Sequence, residues 1–331
     1  MTHPLHTPIC DYFGIEYPIF LAGMGGVSTA PLVAAVSNAG GLGVIGAATM
    51  DEHMLREEIE RTRDLTDKPF AVDLLAPIPD RIRPQIKVVL QEGVKVFVAG
   101  LAVPAEFIGE LHAAGIKVVV MCGKVRHAQK SEAAGADVVV AQGTEAGGHT
   151  GEIGTLALVP QVVDAVKIPV LAAGGIVDGR GVVAALALGA QGAVIGTRFI
   201  ATNESQANPG YRQAIIEAND DSTVRTRSYT GKPARAIRNS RTDEWESKTD
   251  AIQPFPMQAG LSVQEGVMDY MGRGSNFNAD RTFLPAGQGS GAIHAIKPAA
   301  EVFRDIIEES EAVIRALPGG TVAAARTSRP S

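Results

Sequence analysis

Between the N-terminus and about Ala201, short runs of Val, Ile, Leu and Ala alternate with longer segments whose apolar positions recur every three or four residues. The short runs are nearly all apolar, which predicts parallel β-strands covered on both faces. The longer segments predict amphipathic helices. Strands are expected at Pro18–Ala22, Leu42–Ile45, Phe70–Leu74, Val94–Val98, Lys117–Met121, Asp137–Ala141, Pro169–Ala172 and Gly192–Ile195. Helices are expected among them at Ala30–Asn38, Glu52–Asp64, Pro104–Ala114, Val125–Ala134, Leu156–Val166 and Gly179–Leu188. Eight such strands in a βα succession point to the α/β class and, within it, to a (β/α)8 TIM barrel over an open sheet.

The texture changes after Ala201. Residues 203–291 are richer in Arg, Asn, Gln and Ser, hold the only tryptophan (Trp245), and show no further βα alternation. Helical patterns at Tyr211–Ala218, Asp243–Ala251 and Ser262–Met271 predict a small, mostly helical domain inserted after the eighth strand. Over Pro298–Leu317 an amphipathic pattern, with Val302, Ile306, Ile307, Val313 and Ile314 on one side, predicts a helix returning to the barrel. The expected division is a barrel over 1–205, a helical substrate or lid domain over 206–291, the returning helix over 292–318 and a disordered tail over 319–331.

Candidate chemistry gathers at the strand ends. The run Gln142 to Gly151 follows the sixth strand and carries Gly147, Gly148 and His149, while Gly174-Gly175 follows the seventh strand and Gly196-Thr197 the eighth. Glycine pairs leave backbone N–H groups bare, and the turns after strands seven and eight form the usual phosphate site of a barrel. Each turn could need its glycines with no ligand present; occurring together, they favour a phosphate cradle completed by the Thr197 hydroxyl. Arg198 could add charge there or face a carboxylate at the barrel mouth. His149 lies in a glycine-rich loop at a strand's carboxyl end, and an imidazole takes or gives a proton near neutrality, so it is the candidate catalytic group against the bland alternative of a loop histidine. Leu21-Ala22-Gly23-Met24 ends the first strand in a turn over which a flat ring could lie, and Asp73, Met121 and Gln142 end strands three, five and six.

Other motifs lead elsewhere. Gly41, Gly43 and Gly46 satisfy GxGxxG, but they open and close a strand that follows a helix, the reverse of the dinucleotide-binding context. His127 falls on a helix, and His112 and His294 carry no local signal. No HExxH or paired CxxC spacing suggests a metal. The 331 residues are 45% hydrophobic and 20% charged, as in a globular protein, and a net charge of −6 without a basic cluster argues against a nucleic-acid partner. No membrane span or signal peptide is visible, and two distant cysteines, Cys10 and Cys122, suit a reducing cytoplasmic setting.

The set Ala22-Gly23-Met24, Gly40 to Gly43, Glu145 to His149, Ala173 to Gly179 and Gly196 to Phe199 resembles the nitronate monooxygenase family, formerly 2-nitropropane dioxygenases, over about residues 8 to 316. The same superfamily includes the flavin-dependent enoyl-acyl-carrier-protein reductase II and NADH:quinone reductases. The resemblance implies FMN at the barrel's carboxyl face. Its phosphate would meet Gly174, Gly175, Gly196 and Thr197. Its ring would lie near Ala22, Gly23, Met24 and Asp73, with Gln142, Gly147 and Gly148 along the cofactor and His149 as the catalytic histidine. Asp73 departs from the family, where Asn is frequent. Segments Gly231–Asn239 and Ala286 to Gln288 look closer to the enoyl reductase branch. The activity implied first is oxidation of alkyl nitronates with O2. The alternatives are NAD(P)H-dependent reduction of an enoyl thioester or a quinone and, further off, a non-redox phosphate-binding barrel. A small-molecule substrate is expected, with NAD(P)H considered as electron donor and a homodimer as the assembly considered.

Overall fold

A computed structural model describes residues 3–77, 79–269 and 277–317. Its strands are β1 (Ile19–Leu21), β2 (Gly43–Gly46), β3 (Phe70–Leu75), β4 (Val96–Gly100), β5 (Lys117–Cys122), β6 (Val138–Gln142), β7 (Gly148–His149), β8 (Val170–Ala173), β9 (Gly192–Ile195), β10 (Thr223–Thr226) and β11 (Ala234–Ile237). Eight of them form one parallel sheet in the order β1-β9-β8-β6-β5-β4-β3-β2. The two ends of that order meet. Phe20 bridges Leu42, the Leu21 N–H donates to the Leu42 carbonyl at 2.9 Å, and the Leu42 N–H donates to the Ile19 carbonyl at 3.0 Å. The sheet therefore closes into the expected (β/α)8 barrel.

Alternation along the strands divides the core in two. In β4, Val96 and Val98 point into the barrel with Val44, Ala71, Val119, Val140, Leu171 and Val194. Phe97 and Ala99 point outward into the layer beneath the helices. A helix at Pro8–Phe13 adds Ile9, Cys10 and Phe13 to the inner cluster, so apolar side chains fill that end of the barrel.

The observed helices Ala30–Asn38, Glu52–Leu65, Ala105–Ala113, Val125–Ala133, Thr155–Ala165 and Gly179–Ala187 lie close to their expected positions. Two differences stand out. A further helix, Pro79–Gln91, carries Pro84 within it, and β4 begins at Val96 instead of Val94. At that point Gly93 takes φ +60° and the Val94 N–H still donates back to the Val89 carbonyl, so the helix end consumes the residue that pattern alone gave to the strand.

The segment after β9 packs over the barrel mouth through Val27, Ile200, Tyr211, Ile215, Leu284 and Ile293. It contains helices Pro209–Ile216, Ser240–Glu246 and Met257–Gln264 and, beside them, a three-stranded antiparallel sheet ordered β10-β11-β7. Asn239 starts the second helix with a reciprocal cap to Thr242. The third helix starts before the expected Ser262 and stops at Gln264, ahead of Gly266 at φ +72°; residues 270 and 271 of the expected span lie outside the described residues. The chain ends on helix Ala299–Ala316, which lies so close to helix Gly179–Ala187 that a Cβ on Gly179 would meet the Ser310 nitrogen at 2.3 Å. The tail expected to be disordered, 319–331, is also outside the described residues. Among the described residues no helix is long and apolar enough to cross a membrane.

Candidate active site

The carboxyl ends of the barrel strands and the underside of the added segment enclose one cavity of about 420 Å³, within the usual range for a cofactor or small-ligand site. Ala22, Gly23, Met24, Asp73, Gln142, Gly147, Gly148, His149, Gly174, Gly175, Gly196 and Thr197 all line it. So do Tyr211, Thr230, Phe255, Ala259, Met268, Phe283, Pro285, Gly287 and Gly289 from the added segment, none of which the sequence reading placed in the site, although Gly287 falls in the Ala286 to Gln288 segment it noted.

The loop after β6 is built around Glu145. Its carboxylate accepts from the Thr155 N–H at 2.9 Å and the Thr155 hydroxyl at 2.8 Å, while its carbonyl accepts from the Gln288 N–H at 2.9 Å. Gly147 lies against the backbone of Ala286 and Gly287, where a Cβ would come within 2.8 Å of backbone atoms, and Gly148 takes φ +71°. These contacts deliver Gly148 and His149 as β7, which pairs with β11 through Ala234 opposite His149. His149 thus sits at the seam between barrel and added segment.

Its Nε2 lies 2.9 Å from the Thr230 hydroxyl. That hydroxyl donates to the Lys232 carbonyl at 3.2 Å and accepts from the Lys232 N–H at 3.3 Å. With its proton on the Lys232 carbonyl, the Thr230 oxygen would accept from His149, an arrangement that places hydrogen on Nε2 and leaves Nδ1 as the basic nitrogen. Burial, and secondarily the nearby Lys232 charge, lower the His149 pKa to about 4. The imidazole is therefore neutral at pH 7.

Asp73 is the second polar feature. Burial pushes its carboxyl well above the ordinary carboxylate range, and its buried Oδ1 has no hydrogen-bond partner. Its side chain fills the space a Cβ on Gly23 would occupy, 2.2 Å from Oδ2. Among the described residues no Lys or Arg side chain lines the cavity to hold it ionised. A protonated carboxyl is a hydrogen-bond donor, as the amide of Asn would be, so the departure from Asn need not place a charge in the site. The sign of its effect on stability follows. A carboxyl whose folded pKa is raised contributes most below its unfolded value near 3.8, and that contribution is lost as pH rises toward the folded value. Asp73→Asn should therefore raise the melting temperature of the flavin-free protein at pH 7 to 8, the gain shrinking to nothing toward pH 4. Parallel melting profiles across that range would contradict a neutral Asp73.

Gly174 and Gly175 take φ +105° and +72° at the end of β8, conformations that favour glycine. Gly196 and Thr197 follow β9. The Thr197 oxygen accepts from the Gly287 N–H at 3.0 Å, which leaves its own proton to donate. Arg198 is elsewhere: it lies outside the cavity lining and its guanidinium donates to the Ala201 and Ala295 carbonyls at 3.4 and 3.3 Å. Among the described residues, an anion at this corner would meet backbone N–H groups and a hydroxyl, with no cationic side chain. A flat polar ring on one phosphate fits such a lining: a bare glycine corner, an unpaired buried Oδ1 and the Ala22 to Met24 backbone as floor.

The remaining motifs resolve as packing. A Cβ on Gly43 would meet the Val33 carbonyl at 2.2 Å and one on Gly46 the Met24 backbone at 2.3 Å, so these glycines let barrel elements approach. His112 bonds Asp137 at 2.9 Å, and His127 and His294 are exposed. Among the described residues no group of three or more His, Cys, Asp or Glu side chains is placed to hold a metal.

The nitronate monooxygenase family model matches residues 6–85 and 80–309. A Staphylococcus saprophyticus protein described as a probable nitronate monooxygenase is 38% identical over 304 residues, covering 78% of this chain and 86% of that protein. The (3aS,4S,5R,7aS)-5-hydroxy-7a-methyl-1-oxo-octahydro-1H-indene-4-carboxyl-CoA dehydrogenase of Mycobacterium tuberculosis is 41% identical over 250 residues, covering 75% and 70%. Among solved structures, FabK from Thermotoga maritima superposes with a TM-score of 0.87 at 38% identity over 96% of this chain and 99% of that one. A nitroalkane oxidase from Streptomyces ansochromogenes gives 0.84 at 33% identity over 93% and 99%.

Proposed function

The chain belongs to the nitronate monooxygenase family, one of flavin-dependent oxidoreductases, and on that premise we propose that it holds FMN in the barrel-mouth cavity and oxidises alkyl nitronates with dioxygen. The observation that carries the reading is the meeting, in one cavity, of a side-chain-free glycine corner and a neutral buried histidine. When bound, FMN supplies an electron acceptor that dioxygen can reoxidise.

The chain's own residues do the rest. The N–H groups around Gly175 and Gly196 and the Thr197 hydroxyl hold the phosphate, and a single such corner favours FMN over FAD. The Ala22 to Met24 backbone supports the ring, with protonated Asp73 and Gln142 as polar groups at its margin. A nitronate arrives already lacking its α-proton. A neutral nitroalkane would give that proton to Nδ1 of His149, leaving the electron pair of the broken C–H bond delocalised onto the nitro oxygens. Thr230 keeps Nε2 protonated and so presents Nδ1 as the base.

A second reading, NAD(P)H-dependent reduction of an enoyl thioester, draws on the likeness to FabK and to the indene-carboxyl-CoA dehydrogenase and on the apolar roof of Phe255, Ala259 and Met268. In it His149 would manage a proton next to the thioester.

Gly196→Val tests the cradle. Gly196 has φ −109° and ψ −78°, outside the left-handed region that favours glycine, and a Cβ there would make a tight 3.3 Å contact with the Ala22 Cβ. The side chain should keep phosphate from the backbone and weaken FMN affinity by at least about tenfold, the worth of one or two hydrogen bonds. Heating the parent protein should release FMN, identified by mass, and the valine variant should carry little. FAD in the parent, or full FMN in the variant, would overturn this placement.

A further inference from the structure

We propose that Leu101 is a specificity-determining residue, forming with Leu75 an apolar end wall that selects substrates by the length of their hydrocarbon part. The inference rests on the reading of the cavity as the substrate site.

Among the described residues, Leu101 is the one non-glycine residue with positive φ, at +66°. The Ala102 N–H donates to the Gly100 carbonyl at 2.9 Å, closing a three-residue γ-turn of the positive-φ kind, which is rare and strained. Elsewhere among the described residues every left-handed position is glycine. The strain is held in place by the barrel, because the Gly100 carbonyl also accepts from the Ala76 N–H at 2.9 Å at the end of β3. Strained side chains persist where surrounding structure over-determines them, and they cluster at ligand sites.

The place of the turn shows what the side chain does. In the ring of eight barrel strands, β4 stands four positions from β9, directly across the mouth. Leu101 at the end of β4 therefore lines the cavity opposite Gly196 and Thr197. Leu75 pairs in register with Gly100 and fills the space above it, 3.0 Å from where a Cβ would stand. Both leucines line the cavity, and Leu75 stays 37% exposed, so the wall borders solvent. An apolar group extending from His149 toward this side ends against the two leucines.

The test measures kcat/KM of the FMN-loaded enzyme on primary nitronates from ethyl to octyl, for the parent, Leu101→Ala and Leu101→Gly. Both variants should shift preference toward longer chains, with the octyl-to-ethyl ratio rising by roughly tenfold or more, the scale of a few methylenes gained in an apolar pocket. Leu101→Gly should melt at or above Leu101→Ala, because glycine adopts the turn without strain. Unshifted chain-length profiles in both variants, or lost FMN with an unchanged profile, would overturn the role. If the parent oxidises no nitronate, the function reading fails by itself. The same variants are then read on 2-enoyl thioesters of graded length with NADPH, where an unshifted profile again sinks the wall.

Discussion

His149→Ala should lower turnover of a neutral nitroalkane by about a hundredfold or more, the usual span for losing a general base, while leaving FMN content close to that of the parent. The cofactor is retained because its proposed contacts are backbone groups, Thr197 and the polar margin, none of which depends on the imidazole. Folding should be little affected, since Thr230 keeps both of its bonds to Lys232 when His149 is removed. Oxidation of a pre-formed nitronate should fall much less, because its α-proton is already gone. Equal losses on the two substrates would instead make His149 an anion-binding group. The pH profile of the parent supplies a second check. His149 titrates near 4 because it is buried beside Lys232, so its base form persists as pH drops through 6.5 and is lost only toward 4. An acid limb in the nitroalkane kcat/KM near pH 6.5, abolished in the variant, would show a solvated imidazole and contradict the buried geometry.

The barrel was legible because its cause is local. Each of the eight barrel strands is a short apolar run, and the alternation that splits Val96 and Val98 from Phe97 and Ala99 is hidden only because both faces are covered. Gly174, Gly175, Gly196, Thr197 and His149 were found from one rule, that glycine-bearing turns at the carboxyl ends of barrel strands face the same cavity; the places of Ala22, Gly23, Met24, Asp73, Gln142, Gly147 and Gly148 along the cofactor came from the family resemblance. Their roles do not follow from that placement and stay part of the proposal. What escaped the sequence has identifiable reasons. Helix Pro79–Gln91 opens with a proline and contains Pro84, residues that read as breakers. Strands β7, β10 and β11 are short, and β7 pairs at long range, with Gly148 and His149 finding partners some eighty residues later. The neutral state of His149 depends first on burial and then on the Lys232 charge, and no spacing rule links either to it. Leu101 was invisible for another reason: its signal is a dihedral angle, and leucine gives no hint of positive φ in sequence.

Asp73 shows how a sequence departure can be misleading in isolation. A carboxylate in place of the family's frequent Asn suggests altered flavin electronics, but among the described residues the carboxyl is buried with no Lys or Arg in the cavity lining and with Oδ1 unpaired. The neutral acid then resembles the amide it replaces.

The most direct test of the account is anaerobic mixing of the purified, flavin-loaded protein with an alkyl nitronate while the flavin absorbance is followed. The account predicts near-complete bleaching by the nitronate, recovery of the oxidised spectrum when oxygen is admitted, and consumption of nitronate on repeated cycles. Flavin that stays oxidised with saturating nitronate yet bleaches at once with NADH or NADPH would contradict it and leave the thioester or quinone reductase in its place.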